Sequence, residues 1–134
     1  DARLIAYEAD LGDGTAIYVQ GWGVAGPLGD PLRVSAPGAK APVWARKGRT
    51  LFFITSKSRI EAATITTSPR LAASITATPW DLVRLEIADN LYDMLPDGRL
   101  LGIRAGYGER GPSGFQLQHG LVSAIPMKTK DAER

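Results

Sequence analysis

His119 is the only histidine of the chain, so a Ser-His-Asp triad would have to use it as its base, and a metal centre would have to rely on it or on carboxylates alone. It stands in Gln118-His119-Gly120, a sequence that reads as a hairpin turn with a solvated imidazole. Ser56 and Ser58, in Thr55-Ser56-Lys57-Ser58, and Ser113, in Gly111-Pro112-Ser113-Gly114, lack the strand-to-helix elbow that exposes a nucleophile. Ser56-Lys57-Ser58-Arg59 could hold phosphate only if a glycine-rich loop opened a helix there, and none does, so it reads as a turn between strands. The glycine-rich run Gly106 to Gly114 lacks the lysine and following helix of a nucleotide loop. Leu11-Gly12-Asp13-Gly14-Thr15 lacks the spaced carboxylates of a calcium loop.

Asp93 and Asp97, four apart, are the remaining pair that could do acid-base work, but Asp97 precedes Gly98 and is needed to form a turn. The expectation is therefore no catalytic residue, no metal site and no cofactor. The chain contains no cysteine, which excludes disulfides, thiolate ligands and a thiol nucleophile and leaves the compartment open. Three tryptophans are the large anchors: Trp44 reads as core, whereas Trp22, between glycines, and Trp80, after Pro79, read as loop residues that could be exposed for binding, with packing over a blade edge the commoner role for both.

With no catalytic set to position, the elements themselves become the main evidence. The length of 134 residues and a 44% hydrophobic content fit one domain with a real core. The 16 basic and 14 acidic residues are scattered, so no concentrated basic face for nucleic acid is expected. No apolar run is long enough to span a membrane as a helix, and no basic-then-apolar leader opens the sequence. Nine prolines and fifteen glycines leave few windows of helical length. The best one, Trp80 to Leu91, reads instead as a loop with an irregular strand on which Val83, Leu85 and Ile87 alternate.

A turn motif repeats. Asp1-Ala2-Arg3, Lys47-Gly48-Arg49 and Asp97-Gly98-Arg99 stand in register, with the arginines 46 and then 50 positions apart. Each is followed by an apolar run that predicts a strand buried on both faces: Leu4 to Tyr7, Leu51 to Ile54 and Leu100 to Ile103. Ala41 to Ala45 and Asn90 to Leu95 precede the second and third turns and complete two hairpins, with Gly48 and Gly98 supplying a left-handed backbone. Further strands are predicted at Thr15 to Gln20, Pro31 to Ser35, Ile60 to Thr66, Arg70 to Thr76, Phe115 to Gln118 and Leu121 to Ile125. About four strands per unit of roughly 45 residues is the period of a propeller blade.

Val43-Trp44-Ala45-Arg46-Lys47-Gly48-Arg49-Thr50-Leu51-Phe52-Phe53 and Tyr92-Asp93-Met94-Leu95-Pro96-Asp97-Gly98-Arg99-Leu100-Leu101 resemble the TolB-like propeller repeat, over about residues 1–105. The pairing of a Trp copy with a Tyr-Asp copy is most similar to the final blades of propellers attached to bacterial serine/threonine kinases and related sensor proteins. The resemblance implies an all-β partial propeller of about three four-stranded blades, over 1–40, 41–89 and 90–127 with a polar tail at 128–134. The first blade is expected to lack its innermost strand. Three blades cannot close a ring, since closure takes about four to eight. The chain is thus expected to be a piece of a longer propeller or to pair as a homodimer that completes six blades. The function implied is a non-catalytic protein-interaction or ligand-sensing module, with a protein partner or a second copy. The alternative is the propeller portion of a hydrolase or peptidase whose site lies in another domain or at an oligomer axis.

Overall fold

The computed structural model describes residues 3–45, 49–104 and 125–126, and they form an all-β protein of three antiparallel sheets. Sheet 1 has the order β1-β2-β3, with β1 Arg3–Asp10, β2 Thr15–Gly23 and β3 Gly26–Arg33. Sheet 2 has the order β4-β5-β6-β7, with β4 Lys40–Trp44, β5 Thr50–Ile54, β6 Arg59–Thr66 and β7 Ala72–Asp81. Sheet 3 has the order β10-β9-β8, with β8 Ile87–Met94, β9 Arg99–Arg104 and β10 Ile125–Pro126. No helix among the described residues is long and apolar enough to cross a membrane.

Sheet 2 is packed on both sides because β5 is apolar at every position after Thr50 and successive side chains of a strand point to opposite faces. Leu51 and Phe53 join Ile17 and Val19 of β2 in one core layer, together with Ala63 and Ile65 of β6. Phe52 and Ile54 join Tyr92, Met94 and Leu100 of sheet 3 in a second layer. Among the described residues the sheets are therefore stacked face to face in the order 1, 2, 3, with one face of each end sheet turned away from sheet 2.

The turns follow local chemistry. Thr55 and Leu95 each donate their amide to the carbonyl four residues on, Arg59 at 2.8 Å and Arg99 at 2.9 Å, and each accepts from the residue three on, Ser58 and Gly98. Both of those residues are left-handed, at φ 55° and 82°, so Ser58 takes a place that suits glycine. The same hairpin turn is thus built between β5 and β6 as between β8 and β9. Residues 46–48, which carry Lys47-Gly48, lie outside the described residues, as do Asp1 and Ala2.

Three expectations change. The first is the placement of β1, for which sequence register suggested the second strand of a blade with the innermost one missing. In the structure the Ala41 amide of β4 donates to the Glu8 carboxylate of β1 at 2.7 Å, and Tyr92 of β8 donates to the Ala41 carbonyl at 2.6 Å. β1, β4 and β8 therefore stand in line as the first strands of their sheets, and β2, buried from Ala16 to Val19, matches β5. Among the described residues, the strand that sheet 1 lacks relative to sheet 2 is the one that would follow β3. The second concerns Trp80 to Leu91. Leu82 to Glu86 form a turn fastened by Asp81, whose carboxylate accepts the Val83 and Arg84 amides at 3.1 Å each, and regular strand begins only at Ile87. Third, the doubly buried strand predicted at Leu4 to Tyr7 is only half-buried, since β1 is an edge strand of an end sheet.

Candidate interaction surface

The register of sheet 1 separates its two faces. Leu4, Ala6 and Glu8 lie opposite Gly21, Val19 and Ile17 and face sheet 2, so Ile5, Tyr7, Tyr18, Gln20 and Trp22 face outward. Arg33 joins them, being the partner of Tyr18 on β3. The turn Asp10 to Thr15 fixes this register: the Asp10 carboxylate accepts the amides of Gly12 at 2.9 Å and Gly14 at 3.2 Å, so that Asp10 lies opposite Thr15. A one-residue slip would exchange the faces.

On the outward face the Tyr7 and Tyr18 rings stack with centroids 6.0 Å apart at 22°. The Tyr7 hydroxyl donates to Gln20 Oε1 at 3.3 Å, and Gln20 Nε2 donates to the Gly29 carbonyl at 2.7 Å. Arg33 is held in place from two sides, Nε on the Ser35 carbonyl at 3.0 Å and a terminal nitrogen on Asp13 at 2.6 Å. The hydrogen bond to Asp13 raises the guanidinium above its ordinary range. Tyr18 is buried, while Trp22 keeps 41% of its surface exposed. A fixed ring surface edged by an amide and a guanidinium is suited to contact by area, with polar groups to orient a partner.

The other end of the stack is aliphatic. Tyr92 and Met94 of β8 and Leu100 of β9 face sheet 2, which turns Leu91, Leu101 and Ile103 outward, with Leu91 and Ile103 exposed.

The sequence candidates are distributed differently from these surfaces. Trp22 is on β2 rather than in a loop, and it is exposed rather than packed over a blade edge. Trp44 packs against the first core layer. Trp80 lies on β7 rather than in a loop and is packed rather than available for binding, only 1% exposed, because Thr78, Trp80 and Leu82 succeed one another at the two-residue period toward sheet 3. Asp93 accepts its neighbour Met94's amide at 2.7 Å, and Asp97 accepts the Arg99 amide at 3.1 Å and its side chain at 2.7 Å. The amide bond, followed by the Arg99 side chain, holds the Asp97 carboxyl below its ordinary value. These two carboxylates are thus engaged in local structure. Ser56, Lys57 and Ser58 form the β5–β6 turn. His119, Ser113, Gly106 to Gly114 and the strand predicted at Phe115 to Gln118 lie outside the described residues, as does Leu121 to Ala124. Tyr7 and Tyr18 were missed as a pair, although Tyr18, Gln20 and Trp22 recur at the period that marks one face of a strand.

No family model matches the chain, and neither does any curated protein or solved structure.

Between the two end faces, Ala41 is the point where three sheets meet. Its backbone is left-handed at φ 53°, an arrangement that costs alanine about 1–2 kcal/mol, and the side chains of Glu8 and Tyr92 hold its amide and carbonyl. Burial, and then the charge of Asp93, push the Tyr92 phenol well above its ordinary 10.0. Replacing Tyr92 by phenylalanine is expected to cost about 1–2 kcal/mol at neutral pH, from the lost bond and the stranded carbonyl. A group raised on folding contributes fully below its unfolded value and loses that contribution as pH rises toward the folded one. The gap between wild type and Tyr92→Phe in urea titrations should therefore narrow above pH 10.0. A gap that stays constant there would show that the phenol is not shifted.

Proposed function

We propose that the chain is a non-catalytic interaction module built from β-propeller-type blades, of the kind carried by larger bacterial sensor or kinase-linked proteins, and that its partner lies on the outward face of sheet 1. One observation carries this reading: the face of sheet 1 turned away from sheet 2 carries the stacked rings of Tyr7 and Tyr18 and, beside them, Trp22 with 41% of its surface exposed. Aromatic side chains fixed by hydrogen bonds lose little freedom on binding, which favours their use as contact anchors. The partner that best fits a flat twisted face is another sheet, since sheets pack face to face with their strands nearly aligned. In the ring-completion form of this reading, that sheet belongs to a second copy.

The test is photocrosslinking in the producing cell, with a photoreactive residue at position 22 and, as control, at Lys57 in the β5–β6 turn. Adducts to a defined protein from position 22 and none from position 57 are expected. Equal adducts from both positions, or none from position 22, would sink the reading.

A further inference from the structure

Among the described residues, the β7 edge of sheet 2 has no neighbouring strand and carries a second surface, distinct from the faces of the stack. β7 is the end strand of the order β4-β5-β6-β7, and Ser74, Ile75, Thr76 and Ala77 along it are all exposed. The direction of its backbone groups follows from the ladder. Ile65 donates its amide to the Arg49 carbonyl at 2.7 Å, so odd-numbered residues of β6 turn toward β5 and even-numbered ones toward β7. Thr64 lies opposite Ser74 and Ala62 opposite Thr76, so Ser74 and Thr76 bond to β6. The amides and carbonyls of Ala73, Ile75 and Ala77 therefore point off the edge of the sheet.

The other edges are guarded in the ways that natural sheets use against strand addition. β1 carries Arg3, Glu8 and Asp10, and β3 carries Pro27, Asp30 and Pro31. β4 is five residues long with Pro42 and an irregular register, β8 has Asp93 and a register shift, and β10 carries Pro126. From Leu71 to Thr78 there is neither a charge nor a proline; Arg70 and Pro79 bound the stretch.

The sequence of this edge is symmetric in chemical type: Ala73-Ser74-Ile75-Thr76-Ala77 reads the same from either end, small, hydroxyl, apolar, hydroxyl, small. A two-fold contact requires a surface that complements itself. Antiparallel pairing about Ile75 sets Ile75 against Ile75 of a second copy, Ser74 against Thr76 and Ala73 against Ala77, with the outward backbone groups of 73, 75 and 77 facing their counterparts. We infer that β7 pairs with β7 of a second copy of this chain, joining the two four-stranded sheets into one continuous sheet across a two-fold axis at Ile75. The contact uses no residue of the outward face of sheet 1 and stands independently of the function proposed above.

The full chain should show, by sedimentation equilibrium, a mass rising with concentration from one chain to two. Ile75→Lys and Ile75→Glu should each sediment as monomers, because like charges meet at the axis, and a 1:1 mixture should recover the twofold mass. Ile75 is exposed, so both variants should keep the wild-type circular dichroism. The chain has no cysteine, so Ile75→Cys should yield a disulfide-linked dimer on mild oxidation. Ala73→Cys should not, because its symmetry mate lies about 14 Å away along the paired strands, beyond disulfide reach. Trp22→Ser should leave the dimer intact. A wild type that stays monomeric overturns the inference, as does equal crosslinking of Ile75→Cys and Ala73→Cys. A dimer lost with Trp22→Ser and kept with Ile75→Lys overturns it as well, and assigns association to the sheet 1 face instead.

Discussion

Replacement of Phe53 by alanine is expected to lower the unfolding free energy by about 3–5 kcal/mol, the range for truncating a buried aromatic. Phe53 is fully buried on β5, in the layer it shares with Ile17, Val19, Leu51 and Ile65. The cost has two parts, the lost transfer of the ring and the hole left between sheets 1 and 2, which the flanking strands cannot close without breaking their ladders. Against a total of about 5–15 kcal/mol for a domain, such a loss leaves a substantial unfolded population. Urea titration should show the midpoint falling, with the slope unchanged if the variant still unfolds in one step. Ile103→Ala, on the exposed face of sheet 3, serves as the comparison and should cost far less. A Phe53→Ala cost close to that of Ile103→Ala would mean that sheet 1 does not pack on sheet 2.

Sheet 2 was legible in the sequence because its strands are what pattern reading detects. The expected strands 41–45, 51–54 and 60–66 appear as Lys40–Trp44, Thr50–Ile54 and Arg59–Thr66, each an apolar or alternating run ended by a turn. β3 was only partly legible. Gly26, Pro27, Gly29, Asp30 and Pro31 have loop composition, yet they run along β2 as an edge strand, where proline is tolerated because one side of the backbone has no partner to lose. The placement of β1 was misread for a related reason. Repeat register follows turn residues, whereas the position of a strand in a stack is set by what it lies against, here Glu8 against Ala41.

The candidate surface shows the same division. Trp22 was marked by its size and its glycine neighbours, but its partners come from pairing across strands: Tyr7 meets Tyr18 only because the Asp10–Thr15 turn sets that register. A period-two reading of Tyr18, Gln20 and Trp22 would have placed the three on one face. It could not have shown that the face is turned away from sheet 2, since that depends on which sheet packs against which. The Asp93 and Asp97 pair illustrates the converse. Spacing made it a candidate for acid-base chemistry, and local hydrogen bonds to Met94 and Arg99 account for both carboxylates.

Trp80 gives the second large effect. Trp80→Ala removes the largest fully buried side chain of the layer between sheets 2 and 3, and about 3–5 kcal/mol of stability is expected to go with it. Trp80→Phe should behave very differently. The indole ring is 6.1 Å from the Phe52 ring at 56°, and a phenyl group retains most of that contact. The Trp80 Nε1 donor is buried with no acceptor among the described residues, and such a group costs about 1–3 kcal/mol. Phenylalanine removes that penalty while leaving a smaller void, so the two changes offset and the net cost should stay below about 1.5 kcal/mol. The comparison separates packing from polarity at one site: thermal or urea unfolding of both variants should rank Trp80→Ala far below Trp80→Phe. Equal losses would mean that the indole N–H has a partner worth as much as the ring, and that Trp80 is held in the core by a hydrogen bond rather than by packing alone.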